Sequence, residues 1–213
     1  MKKILAALLL ISSLSLADVK LASLFKDNTV LQRNKTVYLW GKADKNEKIK
    51  ITINSQTVEI AADENGKWKA EFPPMDAGGP FELIIEGNNK VVLKNILIGE
   101  VWIASGQSNM EFQLKKSVGG EEEISKADFP SIRIFVVKHK VADTPQEDVE
   151  GEWQVCSPKT IANFSGVAYF FAKKLLTELN VPVGIIQSTW GGTPAEAWMP
   201  KSTLETDEDF KPI

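Results

Sequence analysis

The stretch Gly99 to Phe112, GEVWIASGQSNMEF, decides how the rest of the chain is read. Val101 to Ala104 form a short apolar run whose Trp102 and Ile103 favour an extended backbone. Gly106 interrupts it, and Ser108, Asn109, Met110 and Glu111 follow with the spacing of a helix N-terminus. A buried strand feeding a tight turn and a helix places that turn at the carboxyl end of a sheet, where open α/β folds hold their ligands. Ser108 then falls in the first helical turn. Unpaired N–H groups and the positive end of the helix dipole there favour developing negative charge, a setting suited to a hydroxyl that attacks an ester. Ser-x-x-Glu is equally a capping box, in which Ser108 caps the helix and Glu111 reaches back to it. The same pattern recurs at Thr193 to Glu196 and at Ser202 to Glu205, so spacing alone leaves both readings open.

A second block lies far downstream, Trp190 to Trp198, WGGTPAEAW. GQSNM after an apolar strand, followed by WGGT-x-x-E-x-W, resembles the signature blocks of the SGNH hydrolases, and within them the sialate O-acetylesterase family of carbohydrate esterases. The similarity runs from about Leu21 to the last residue. It implies a serine esterase that removes O-acetyl groups from acetylated sugars through an acyl-serine intermediate, without a cofactor. On that reading Ser108 is the nucleophile and its own N–H is one oxyanion donor. The family's glycine donor maps onto Gly191 and Gly192 jointly. A diglycine between a strand and a helix start, with Thr193 as cap and Pro194 at the first helical position, also makes a tight turn in its own right. Gln107, Asn109, Trp190 and Glu196 are the candidate substrate-binding residues; Gln107 and Asn109 suit bonding substrate oxygens or, equally, stabilising the turn, and Trp190, Glu196 and Trp198 match the block as residues that shape the pocket or cap the helix.

The family's base is missing. Its members carry Asp-x-x-His late in the catalytic domain and a further polar block with a side-chain oxyanion donor, and neither occurs here. His139, the only histidine, has Val136 at the third position before it and stands between Lys138 and Lys140. It reads as a solvated residue at a strand end rather than as the base. The sequence stops at Phe210 to Ile213 with no closing strand or helix, so the expectation is the amino-terminal part of a longer protein, nearly inactive alone.

The 213 residues allow one or two domains and a sizeable core. A formal net charge of −3 supplies no field for nucleic acid or an anionic membrane. Met1 to Ala17 has the layout of a cleaved export signal: Lys2 and Lys3, an apolar run from Ile4 to Ile11, then Ser15-Leu16-Ala17 before Asp18. The run is short of the roughly 20 residues that span a bilayer. The expected address is therefore the periplasm or the outside of the cell, without a stable membrane anchor. Cys156 is the only cysteine and reads as a packed, inert thiol. One histidine and one cysteine offer no metal-ligand cluster of the usual spacing.

Residues 18–95 read as a small antiparallel β-sandwich. Candidate strands are Thr36 to Trp40, Ile49 to Ile53, Thr57 to Ile60, Trp68 to Phe72, Phe81 to Glu86 and Val91 to Leu93, with turns at Asn65-Gly66 and Gly87 to Asn89. Trp40 and Trp68 suit a sugar-stacking platform or sandwich packing, and packing is the expectation. From residue 96 to 213 strands alternate with helices. Ile132 to Val137 and Val183 to Ile186 are strands. A helix beginning near Ser165 places Val167, Ala168, Phe171, Leu175 and Leu179 on one face and stops at Asn180 and Pro182. The fold class is thus α/β: a β-sandwich followed by an incomplete SGNH-type αβα domain with a mainly parallel sheet. Two rival functions are weighed. A lipase of the α/β-hydrolase type needs G-x-S-x-G, and Met110 occupies the second glycine's place. A secreted carbohydrate-binding module without catalysis would use the tryptophans and leave Ser108 a mere cap.

Overall fold

A computed structural model describes residues 18–206 and 208–210; the predicted export signal, Met1 to Ala17, lies outside the described residues. The first half is built of strands: β1 (Lys20–Leu21), β2 (Val30–Gln32), β3 (Val37–Lys42), β4 (Lys48–Ile53), β5 (Gln56–Ala61), β6 (Lys67–Phe72), β7 (Gly78–Glu86) and β8 (Lys90–Gly106). The second half alternates: α1 (Ser108–Glu111), α2 (Gly120–Ser125), β9 (Phe129–Val136), β10 (Trp153–Cys156), α3 (Gly166–Leu179), β11 (Val183–Thr189) and α4 (Lys201–Thr206). The fold is α/β, with a three-stranded antiparallel sheet in the order β1-β3-β6 and an eight-stranded mixed sheet. The larger sheet runs β10-β9-β11-β8-β7-β4-β5, with β2 beside β8.

Alternation explains the first half. Ile49, Ile51 and Ile53 of β4 point inward while Lys48 and Lys50 point out, and Trp68, Ala70 and Phe72 of β6 do the same between Lys67, Lys69 and Glu71. The inward faces of the two sheets close into one core with Leu39, Ile85 and Ile98. The β4–β5 hairpin turns through Asn54 and Ser55, with φ of 45° and 62°. Consecutive left-handed residues of this kind match the twist of the strands they join.

β8 ties the halves together. Residues up to Gly99 pair with β7 and β2, and Glu100–Gly106 pair in parallel with β11, so one strand runs unbroken across residues 95 and 96. Val30, Leu97, Phe135 and Trp153 form a separate cluster at the junction. The backbones approach closely there: a Cβ on Gly99 would lie 2.0 Å from the Pro182 carbonyl oxygen.

α3 has the predicted ends. The Ser165 hydroxyl accepts from the Ala168 N–H, and Asn180 stops the helix at φ 50°. Its buried face is a correction. Ala168, Tyr169 and Ala172 are buried with Leu175 and Leu176 packed beside them, while Val167, Phe171 and Leu179 are more than 40% exposed. Apolar residues lie on both sides of this helix, and the small side chains of Ala168 and Ala172 let that face approach the sheet. Tyr169 is buried because its hydroxyl reaches Glu123 Oε2 at 3.2 Å. Phe171 instead meets Trp102 edge-to-face at 5.2 Å. Cys156 is fully buried in the same core, and burial pushes its thiol up to about 12.

Candidate active site

Two strand ends create the site. β8 and β11 run parallel with Gly106 opposite Thr189, and the Trp190 N–H donates to the Gly106 carbonyl at 3.0 Å. Both chains therefore leave the sheet at the same level and side by side. Gly106, at φ +143°, turns β8 toward α1, and Gly192, at φ +80°, turns the segment after β11; both values lie where side chains are disfavoured. Behind the turns, buried Gln187 accepts from the Ser165 N–H at 3.0 Å and donates to Thr189 Oγ1 at 2.9 Å, anchoring α3 to the end of β11.

Ser108 stands exposed at the first position of α1, and the Gly192 N–H donates to its Oγ at 3.2 Å. The serine and the diglycine, 84 residues apart in the chain, are brought into direct contact. The capping box does not form. Gln107 is the N-cap, without a side-chain bond, and Glu111 does not turn back on Ser108. Its Oε2 accepts the Gly191 N–H at 2.6 Å, and its Oε1 lies 3.3 Å from His139 Nε2. α1 is a single turn of four residues, too short for the dipole expected from sequence to count for much.

The glycines thus differ. Gly191 gives its N–H to a carboxylate, and a Cβ placed on it would fall 2.6 Å from Glu111 Oε2. Gly192 gives its N–H to the serine, and a Cβ on it would meet nothing within 4 Å.

His139 is exposed just past the end of β9, as expected, but it is also tied to the site. Its ring stacks on Trp190 at 4.2 Å with an interplanar angle of 7°, and Nε2 lies 2.7 Å from the Thr189 carbonyl oxygen. A carbonyl only accepts, so Nε2 carries the proton. Neighbouring Glu111 Oε1 faces the same proton. Sequence reasoning missed Glu111 and His139 as site components. The Glu111 signal was visible in Ser-x-x-Glu but pointed to a local cap, whereas its partner lies 80 residues away.

The remaining predicted residues surround this contact. Gln107 and Asn109 are exposed on either side of Ser108, and Trp190 is half-buried beneath His139. Thr193 is not a helix cap: it donates to the Trp190 carbonyl at 2.8 Å and accepts from Trp198 Nε1 at 2.8 Å. The turn that follows, Ala195 to Trp198, is a 3₁₀ helix with Pro194 as its N-cap rather than its first residue, and it carries Glu196 half-buried. Beside the diglycine corner a cleft of about 410 Å³ is lined by His139, Trp190, Trp198, Asp148 and Glu150.

Comparison with known proteins matches this part of the chain. Residues 98–208 match the family described as carbohydrate esterase, sialic acid-specific acetylesterase. Sialate O-acetylesterases from Pongo abelii and Homo sapiens are each 28% identical over 207 residues, covering 87% of this chain and 40% of the relative. The chain therefore spans about two fifths of the length of these relatives. A crystal structure of a carbohydrate acetylesterase from Xanthomonas citri superposes with a TM-score of 0.86 at 34% identity, over 91% of this chain and 45% of that one. The matched region starts within β8, runs through the serine turn and the diglycine turn, and covers over half of the 213 residues: the chain belongs to the sialic acid-specific acetylesterase family of carbohydrate esterases.

Proposed function

We propose that this chain provides the nucleophile half of an esterase that removes acetyl groups from O-acetylated sugars. The observation that carries the reading is the Gly192 N–H on the exposed Ser108 Oγ at 3.2 Å. Ester cleavage by serine needs a nucleophile, a base and donors aimed where the oxyanion forms. Ser108 Oγ attacks the acetyl carbonyl and gives its proton to the base. As the carbonyl carbon bonds to Oγ, its π electrons move to the carbonyl oxygen, which becomes the oxyanion beside the Gly192 N–H and the Ser108 N–H. The sugar oxygen leaves with a proton, and water then releases acetate from Ser108. Glu111 is a positioning residue in this scheme: by holding the Gly191 N–H it sets the peptide from which Gly192 presents its own.

The base is the part these residues do not provide. His139, the only histidine, keeps its Nε2 proton on the Thr189 carbonyl and Glu111, which suits it to bracing the diglycine turn rather than to accepting a proton from Ser108. The reading therefore includes weak turnover by the 213 residues alone and full turnover once downstream sequence supplies a base. The test is labelling with a serine-reactive fluorophosphonate and hydrolysis of 4-nitrophenyl acetate, by this chain and by one extended downstream. Labelling of the extended chain lost in Ser108→Ala is the expected result; labelling that survives Ser108→Ala overturns the reading. Fast turnover by the 213 residues would overturn the missing base. Export belongs to the same proposal, resting on the layout of Met1 to Ala17; a mature N-terminus at Asp18, read by N-terminal sequencing of exported protein, checks it.

A further inference from the structure

Trp40 was expected in the sandwich core with Trp68, and the two separate in the structure. Trp68 is 3% exposed and Trp40 37%. Strand alternation places Tyr38, Trp40 and Lys42 on the outer face of β3, opposite Glu71, Lys69 and Lys67 of β6. Trp40 is held edge-on by Phe25, with ring centroids 4.6 Å apart. Trp40 lines two clefts, one of about 600 Å³ and one of about 250 Å³. The larger cleft is roofed by the segment between β9 and β10. Lys67 Nζ donates to Glu147 Oε1 at 2.5 Å, and the Ser23 N–H and hydroxyl donate to the Asp148 carboxylate at 2.9 and 2.8 Å. Asp148 also lines the cleft that holds His139 and Trp190, so the two clefts share a wall.

We propose that the Trp40 cleft is a second, non-catalytic binding site for a neutral oligosaccharide, which seats the chain bearing the acetyl group; this rests on the esterase reading for its purpose but not for its occupancy. The chemistry of the lining selects the ligand. An exposed aromatic ring held rigid by a neighbour presents a flat apolar face at little entropic cost. Around it stand both donors and acceptors, ammonium groups from Lys42 and Lys69 and carboxylates from Asp63 and Asp148. Lysines and carboxylates nearly balance, which gives no advantage to a strongly charged ligand. An apolar floor with a rim of mixed hydrogen-bonding groups matches a pyranose ring, apolar on its face and hydroxylated at its edge. The volume falls within the range of ligand sites, and it exceeds the cleft that holds His139 and Trp190. The shared Asp148 wall makes the two sites neighbours, so a substrate of several sugar units fits the pair better than a free monosaccharide.

Binding is tested on the Ser108→Ala chain, where hydrolysis plays no part. Amide shifts are followed by NMR while xylotetraose, mannotetraose or chitotetraose is added. Shifts centred on Tyr38 to Lys42, Lys67 to Lys69 and Asp148, with affinity about tenfold weaker in Trp40→Ala and largely restored in Trp40→Phe, are the expected result. No shifts at those strands with any of the three, or equal affinity in Trp40→Ala, overturns the proposal. Because no turnover is read, failure of the esterase reading leaves this outcome intact, and failure here leaves fluorophosphonate labelling of Ser108 unchanged.

Discussion

The two halves of the molecule put their polar groups to different uses. In the β-sandwich, alternation sends apolar side chains inward and charged ones outward, and the buried polar residues there, Thr29 and Glu47, bond to the backbone of neighbouring turns. In the α/β half, Gln187, Thr189 and Ser165 are buried at the carboxyl ends of the strands, while Trp102 and Ile103 are 47% and 70% exposed on β8. Buried polar groups persist only when bonded, and here their bonds hold two turns in contact rather than fill a core. The exposed pair sits where β8 pairs, among the described residues, with β11 alone. Parallel strands are ordinarily covered on both faces, and here Phe171 of α3 meets Trp102 while Ile103 stays exposed, so this strand end is less enclosed than the sandwich.

The largest expected effects test whether the halves stand or fall together. Phe72→Ala in the sandwich and Phe164→Ala in the α/β core each remove a fully packed ring, at a cost of about 3–5 kcal/mol. Because β8 and the Val30, Leu97, Phe135 and Trp153 cluster join the halves, both variants should unfold in urea in one transition at a lower midpoint. A second transition in Phe72→Ala, with α/β signals intact, would show that the seam does not couple them.

Next come two glycine substitutions that should separate packing from chemistry. A Cβ on Gly41 falls 1.9 Å from the Lys20 carbonyl oxygen, so Gly41→Ala should lower stability by roughly 1–3 kcal/mol and leave the rate of Ser108 labelling in the extended chain unchanged. Gly191→Ala meets a flexible carboxylate instead. It should keep stability while slowing labelling about 10²-fold through a misaimed Gly192 N–H. Equal labelling rates in the two variants would remove the distinction between the halves.

Glu111→Gln is milder. The amide oxygen still accepts from Gly191, but the bond loses its charge assistance, and labelling should slow by about tenfold with KM for the aryl ester little changed. A purely structural Glu111 would instead lower the melting temperature and leave the rate per folded molecule untouched.

The smallest effect is in pH dependence. The Cys156 thiol is pushed up to about 12 from an ordinary 9.0 by burial. Between those values the unfolded chain has lost a proton that the folded chain keeps, so stability is full below pH 9.0 and falls as pH rises through this window. The slope is about 1.4 kcal/mol per pH unit at most. Urea midpoints at about pH 8 and about pH 10 should differ less in Cys156→Ala than in the parent.

Much of the architecture was legible. Lys48 to Ile53 alternates at period two because one face of β4 is wet, and Ser165 and Asn180 mark the ends of α3 through bonds and dihedrals that are local to them. The buried side of α3 was not legible, because its apolar residues surround the helix and only the position of the sheet selects Ala168 and Ala172. Trp40 and Trp68 are the same residue type in neighbouring strands, and the side of the sheet on which each falls separates a core ring from a cleft wall.

The site divides in the same way. Ser108 in a strand-turn-helix and a flexible diglycine after a later strand are local facts, written in residue types and short spacings. Which glycine faces the serine, what Glu111 holds, and that His139 lies on Trp190 are decided only when β8 and β11 align in parallel with Gly106 opposite Thr189. Hydrogen bonds between residues 80 or more positions apart leave no trace in local pattern, because their geometry is set by the register of the sheet and not by the order of the chain.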